Sequence, residues 1–330
     1  MVAESSDPFV TVVVVTWEGR HLLGPCLRSL RAQTCPHRVV VVDNASTDGT
    51  AGFLAAEFPE ARLVRNRANL GFAGGVAAGL EQVETPYVAL LNNDAEADPG
   101  WLEALVGALE QHEDAAAVTS RMLLSDRPGI LNNTGVLLLS SGYGADRGLG
   151  EPDTAYASAD EVFGFSGGAA ALRTTAVRNV GGFPRPFFLY YEDTDVAWRL
   201  RLAGWTVRYE PGAVVHHRHS ATVDQRSEAF ARYNERNRLL MLARCAPAGF
   251  ALRAVLRFLL TTASLATRKA VRGGVPDVAT FRLRVRLQVF GSFLRLAPWA
   301  LRSRRTIQRS ATVPAEAVID AWLGRGDRGA

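Results

Sequence analysis

The sequence predicts an α/β protein built on a doubly wound, mainly parallel sheet, and three observations lead there. Phe9–Val15, Arg38–Val42 and Tyr87–Leu91 are short, almost unbroken aliphatic runs, the pattern of strands buried on both faces. Segments with a helical apolar period lie between them, as with Leu22, Leu23, Leu27 and Leu30. Several runs stop abruptly on polar side chains, among them Asp43 and the Asn92-Asn93-Asp94 triplet. In open parallel sheets the carboxyl ends of the strands border the ligand crevice.

Taken in order, Phe9–Val15 is the first strand and His21–Gln33 the first helix. Arg38–Val42 follows as a strand, Thr50–Phe58 as a helix, Ala61–Val64 as a strand and Ala73–Val83 as a helix. Thr85-Pro86 turns the chain into the strand Tyr87–Leu91; a helix then opens at Pro99 and covers Trp101–Glu110. Ala116–Ser120 reads as a fifth strand. This βαβα alternation with short connections is what a doubly wound sheet requires. Beyond residue 121 the rhythm breaks into glycine-rich turns and short strands, including Val136–Leu139 and Ala169–Leu172. A helix at about 193–203, a strand at Thr206–Tyr209 and a histidine cluster complete that region, and no internal repeat is visible.

A chain of 330 residues can bury one large core with an appendage. The expected division is one domain over 1–245, with halves 9–121 and 122–245, and a basic helical region over 246–330. The net charge of +4 hides an asymmetry that supports the boundary. Residues 246–310 hold thirteen basic side chains and one acid, Asp277, a local +12, whereas 1–245 sum to −7. Cys26, Cys35 and Cys245 have no metal-ligand spacing and are too few for a disulfide framework, which fits a reducing cytosol. Residues 1–9 carry acids and no apolar centre, unlike a secretory signal. No uncharged apolar run reaches about 18 residues, so no membrane-spanning helix is expected.

Five constellations carry chemistry. In Val39–Thr50, Asp43 leaves a strand at its carboxyl end, where a buried carboxylate needs a partner such as a nucleobase imide; Asp48 and Thr50 suit a turn and a cap. Asn66–Gly75 places glycines at 71, 74 and 75, which is not the G-x-G-x-x-G of dinucleotide binders; backbone approach to a nucleotide and close helix–strand packing are both open. Asn92-Asn93-Asp94 offers oxygen ligands suited to a hard divalent cation, with a turn and helix cap as the alternative. Phe187–Asp195 puts Glu192, Asp193 and Asp195 at a helix opening behind an aromatic wall. Helix-dipole complementation explains one or two of these acids, and a general base explains another. Val214–Ser220 adds His216, His217 and His219, a metal-ligand supply in which strand alternation puts His217 and His219 on one face and His216 on the other.

With these elements in chain order, the sequence resembles glycosyltransferase family 2, of GT-A fold, over roughly residues 9–245. It is closest to bacterial rhamnosyltransferases and related cell-wall or polysaccharide glycosyltransferases. Val-Val-Asp-Asn-Ala-Ser-Thr-Asp-Gly-Thr (41–50), Asn-Leu-Gly-Phe-Ala-Gly-Gly (69–75), Leu-Leu-Asn-Asn-Asp (90–94), Tyr-Glu-Asp-Thr-Asp (191–195) and Val-Val-His-His (214–217) carry the resemblance. It implies that Thr16, Trp17 and Glu18 border the nucleotide, that Asp43 binds the base, and that Asn69, Gly71, Phe72 and Gly74 line the donor pocket. Asp94 would be the metal-binding acid of an Asp-x-Asp-like element whose first carboxylate is here replaced by Asn92, with Asn93 between them. His217, or else His216, would complete a site for Mg²⁺ or Mn²⁺. Asp193 would be the catalytic base, next to Glu192, and Gly167 in Ser166-Gly167-Gly168 would border donor sugar and acceptor.

The resemblance therefore implies an inverting, metal-dependent transferase that takes a sugar from a nucleotide-diphosphate donor, dTDP-L-rhamnose first among dTDP- and UDP-sugars. The acceptor would be a glycan or a polyprenyl-diphosphate-linked sugar. Competing readings are another hexosyl or galactofuranosyl donor, a nucleotide-sugar-binding protein without turnover, and an oxidoreductase on the same kind of sheet. Arginines mixed with leucines from Phe250 to Arg309 suit either an anionic membrane surface or a helical subdomain packed on the catalytic unit. The first would make the protein cytoplasmic and peripheral on the inner face of the cell membrane. Nucleic acid is not expected as a partner, because no binding motif accompanies the charge.

Overall fold

The computed structural model describes residues 8–218, 227–271 and 278–325. Its first half follows the expected alternation closely. Strand β1 (Val10–Thr16), helix α1 (Arg20–Arg31), β2 (His37–Asp43), α2 (Thr50–Glu57), β3 (Arg62–Arg65), α3 (Gly71–Leu80), β4 (Tyr87–Leu91) and α4 (Trp101–Gln111) come in sequence, with a short strand β5 (Ala95–Ala97) before α4. β3, β2, β1 and β4 lie side by side and parallel. Register places Thr16 beside Asp43, and Asp43 beside Arg65, so these polar side chains form one row along the carboxyl edge. Apart from the partly buried Val15, the valines and leucines of β1 and β4 are buried, as strands covered by helices on both faces must be.

The second half departs from a parallel sheet. β6 (Ala115–Leu124) does not join β4; β11 (Ala169–Arg173) inserts between them, antiparallel to both. β12 (Thr206–His217) then runs parallel to β6 on the far side. The ten-stranded sheet of the described residues is therefore mixed, with β7 (Leu131–Asn133) and β10 (Asp160–Glu161) at its margins. A separate hairpin, β8 (Val136–Leu138) and β9 (Gly144–Asp146), stands apart from it. Strand direction here depends on where a long excursion returns, which apolar pattern does not encode. The strand expected to stop at Tyr209 continues through irregular pairing to His217, so His216 and His217 belong to the strand rather than to a following loop.

Helix α5 (Thr174–Asn179) follows β11, and α6 (Glu192–Leu202) precedes β12. α7 (Glu228–Cys245), α8 (Ala248–Val271), α9 (Leu283–Ser310) and α10 (Ala315–Trp322) form the helical layer. One buried cluster runs through Phe187, Trp198, Leu239, Phe258, Val289 and Val318, so the apolar packing crosses the Cys245-Ala246-Pro247 junction without a break. His219 and Ser220 lie outside the described residues.

Ala248–Lys269 is long and apolar enough, by length and composition, to cross a membrane, and only 11% of its apolar window is buried. Arg253 and Arg257 interrupt any uncharged run, which is why the stricter criterion passes over it, yet they do not cancel the surrounding leucines.

Asp195 anchors α6 to the helical layer. Its carboxylate is fully buried and meets Arg199 Nε at 2.7 Å and Arg244 Nη1 at 2.7 Å. Removing the charge leaves two buried guanidinium groups uncompensated, a loss of about 3–5 kcal/mol. Asp195→Asn is expected to lower the urea midpoint accordingly; a loss below about 1 kcal/mol would show that the pair is dispensable.

Candidate active site

The residues expected to border the nucleotide lie on the row at the ends of β1, β2 and β3. Asp43 is completely buried; its Oδ1 accepts from the Ser46 backbone N–H at 2.8 Å. Its Oδ2 has no hydrogen bond and lies 3.3 Å from Arg65 Nε, leaving a carboxylate oxygen for a further donor. Thr16 is buried and its Oγ1 accepts from the Asn93 side-chain amide at 3.0 Å, whereas the Trp17 indole is half exposed. Glu18, in a left-handed conformation, ties the β1 and β2 loops together. Its carboxylate accepts from Thr47 N–H at 2.8 Å, and its own N–H donates to Ser46 Oγ. Asp48 caps α2 through the N–H and hydroxyl of Thr50.

The glycine loop resolves into packing. A Cβ on Gly75 would lie 2.5 Å from Val15, and one on Gly79 2.4 Å from Val13, so α3 sits on β1 at glycine distance. Gly74 faces Leu70 in the same way. Gly71 is left-handed, and its missing Cβ would lie 2.1 Å from the Phe188 carbonyl oxygen, which instead accepts from Ala73 N–H. Asn69 Oδ1 accepts from Gly71 N–H at 2.8 Å and sets that turn. Phe72 is partly exposed, with its ring edge 3.1 Å from the Cβ position of Gly167.

Asp94 and His217 meet at the centre. Their Oδ1 and Nε2 are 3.1 Å apart, both side chains nearly buried. His217 Nδ1 lies 2.7 Å from Asn132 Oδ1, which fixes Nδ1 as the protonated nitrogen when the ring is neutral. The Nε2 lone pair then faces the Asp94 carboxylate, with the Asn92 amide 3.4 Å away. Two acceptors at that separation call for a shared proton or a shared cation. An imidazole and a carboxylate form a suitable donor set for a divalent ion whose remaining positions are filled by phosphate oxygens and water. No group of three or more His, Cys, Asp or Glu side chains is close enough to hold a metal among the described residues. His216 lies on the other face of β12, half exposed, with Nε2 3.3 Å from Asp98.

Asp193 lies in the first turn of α6. Its Oδ2 accepts from Gly167 N–H at 2.9 Å, and its Oδ1 from Thr194 N–H at 2.6 Å and Thr194 Oγ1 at 3.0 Å. Burial pushes its carboxyl above the ordinary range even against these hydrogen bonds, as suits a group that must take up a proton. Glu192 is buried with Oε2 unpartnered; burial first, and then the Asp193 charge, raise it well above the usual value. The two halves are joined by one turn: Gly167 N–H holds Asp193, and the next carbonyl, Gly168, accepts from Asn92 N–H at 2.9 Å.

Two supports escape the sequence reading. Asn132 orients His217 from β7, and its only sequence signal is the amide pair of Leu131-Asn132-Asn133-Thr134-Gly135. Asn237 of α7, completely buried, donates to the carbonyls of Phe187, Leu189 and Tyr190, while Arg236 donates to Pro186 and Phe187. Together they hold a loop in which Phe188, Tyr190 and Tyr191 all have positive φ.

Residues 11–181 match the model of glycosyl transferase family 2. The chain belongs to that family. It is a glycosyltransferase. An N-acetylglucosaminyl-diphospho-decaprenol L-rhamnosyltransferase of Mycobacterium tuberculosis is 32% identical over 249 residues, 67% of this chain and 80% of that protein. Among solved structures, the Pyrobaculum calidifontis mannosyltransferase PcManGT, in complex with GDP-Man and Mn²⁺, aligns with TM-score 0.51 at 21% identity, over 95% of this chain and 79% of that one. GalNAc-T7 with UDP, GalNAc and Mn²⁺ aligns with TM-score 0.62 at 13% identity, over 90% and 57%. At such identities these structures show the shared fold.

Proposed function

We propose that this glycosyltransferase moves L-rhamnose from dTDP-rhamnose, with inversion, to a sugar carried on a polyprenyl diphosphate. The mycobacterial relative, similar over most of both chains, supports the donor and acceptor class. The observation that carries the mechanism is the single turn at Gly167-Gly168, which holds Asp193 with one backbone group and the Asn92–Asp94 segment with the next.

Asp43 accepts the base N–H with its free oxygen, and Trp17 offers an exposed face for stacking. Asp94 and His217 would hold Mg²⁺ or Mn²⁺. When bound, the ion neutralises the charge that develops on the leaving diphosphate. The Asn132 hydrogen bond keeps the His217 Nε2 lone pair turned toward Asp94. Asp193 takes the proton of the acceptor hydroxyl as that oxygen attacks the anomeric carbon from the face opposite the diphosphate. The C–O bond to the diphosphate breaks, and one displacement inverts the centre. Asp193 is held at both oxygens before substrate arrives, so little reorientation is needed in the transition state.

We further propose that the protein works at the inner face of the cell membrane. α8 leaves Leu252, Leu256 and Leu260 exposed, α9 leaves Leu287, Leu294 and Leu301 exposed, and arginines lie among them in a region of charge +12.

Asp193→Asn is expected to cut transfer by about 10²–10⁴ while dTDP binding is kept. In the unsubstituted enzyme the rate should fall on acidification at a pH above the ordinary carboxylate range, because the base must be ionised. Transfer at an undiminished rate by Asp193→Asn would remove the base assignment, and no turnover of any dTDP- or UDP-sugar would remove the donor. For the membrane, cosedimentation with phosphatidylglycerol vesicles but not phosphatidylcholine vesicles is expected. It should be lost in high salt and in a Leu252, Leu256 and Leu260→Ser variant. Equal partitioning with both vesicle types, or with neither, would contradict it.

A further inference from the structure

Asp146, at the end of β9, has no role in the chemistry described so far. Its backbone pairs with Val136, and Asn133 donates to its Oδ1 at 2.6 Å. Asn133 is buried and spends its own Oδ1 on Gly135 N–H, so the holder is itself held. Among the described residues, no hydrogen bond or cation reaches the other carboxylate oxygen of Asp146.

An unpaired acid on a hairpin is usually a solvated surface charge. The surroundings of Asp146 speak against that. The residue is exposed, yet burial pushes its carboxyl up, which describes a group open on one side and crowded on the others. The charge of Asp193 also raises it and that of His217 lowers it, so it lies within electrostatic reach of both. Strand geometry agrees: residues two apart share a face, and the Cβ position of Gly144 on that face lies 3.6 Å from Thr194, the neighbour of Asp193. The Tyr191 hydroxyl accepts from Gly144 N–H at 3.1 Å and fixes the hairpin against the start of α6. Asn132 and Asn133, consecutive in the chain, thus hold His217 and Asp146 respectively.

We propose that Asp146 is a positioning residue for the acceptor, its unpaired carboxylate oxygen taking hydrogen bonds from acceptor hydroxyls next to the one that reacts. The choice of acceptor over nucleotide follows from placement. The nucleotide row is formed by β1, β2 and β3, whereas Asp146 comes from the hairpin that packs on the base-bearing helix. It does not join Asp94 and His217 as a third metal ligand, since no such trio is within ligating reach among the described residues. It also differs from Asp193, whose two oxygens are both held by backbone donors.

The inference rests on the transfer reading above, and its test separates the two. Asp146→Asn keeps the shape and the oxygen that Asn133 needs while removing the charge. With N-acetylglucosaminyl diphosphate bearing a short prenyl chain as acceptor, its acceptor KM should rise about tenfold or more, the range for a lost charge-assisted hydrogen bond. The dissociation constant for dTDP and the slow hydrolysis of the donor by water should stay within about twofold of the unsubstituted enzyme, as for a group that touches only the acceptor. An unchanged acceptor KM, or an equal loss of dTDP affinity, overturns the role given to Asp146. Absence of any transfer by the unsubstituted enzyme overturns the acceptor reading, and this inference falls with it.

Discussion

The site depends on a backbone that is forced into place rather than relaxed into it. Phe188, Tyr190 and Tyr191 all adopt positive φ immediately before α6. Each such residue costs on the order of 1–3 kcal/mol, and such strain persists only where the surroundings over-determine it. Three carbonyls of this loop accept from the one Asn237 amide, and Arg236 takes a further position. On the opposite side the Phe188 carbonyl presses into the space that Gly71 leaves empty. The α7 layer and the glycine loop thus clamp the same segment from two directions, and the segment delivers Asp193 to Gly167.

That clamp gives the helical layer a part in the chemistry. The charge boundary near Cys245 suggests a catalytic domain followed by an appendage. In the folded chain α7 packs on α9, and Arg244 of α7 meets Asp195 two residues beyond Asp193. The strain of the loop is therefore balanced by interactions within the helical layer, and loosening that layer would move Asp193. Arginine serves these buried positions because its planar fork reaches two or three carbonyl or carboxylate oxygens at once.

Much of this was legible in the sequence, for identifiable reasons. The first four parallel strands are announced by β-branched runs and by polar stops, and their edge bears Thr16, Asp43 and Asp94 as expected. The family and the α/β sheet follow from the same residues. The antiparallel insertion of β11 was not legible, because it depends on a return after some forty residues with no local signal. The strand that carries His216 and His217 was read as ending early, since Pro211 and Gly212 resemble a turn but instead form the irregular pairing of β12. The glycines at 74 and 75 left packing and ligand approach both open in the sequence, and the structure shows their close packing on Leu70 and β1. Asn132 and Asn237 act across 85 and up to 50 residues of chain, and such partners exist only once the fold is formed.

The central claim is that Asp94, His217 and Asp193 border one cleft with divided duties, the first pair serving diphosphate and cation, the last serving only proton removal. Titration calorimetry of dTDP with and without Mn²⁺ tests it most directly. Binding should be strengthened by Mn²⁺ in the unsubstituted protein, and that gain should vanish in Asp94→Asn and in His217→Ala yet persist in Asp193→Asn. A Mn²⁺ gain that survives loss of both Asp94 and His217 would contradict the account.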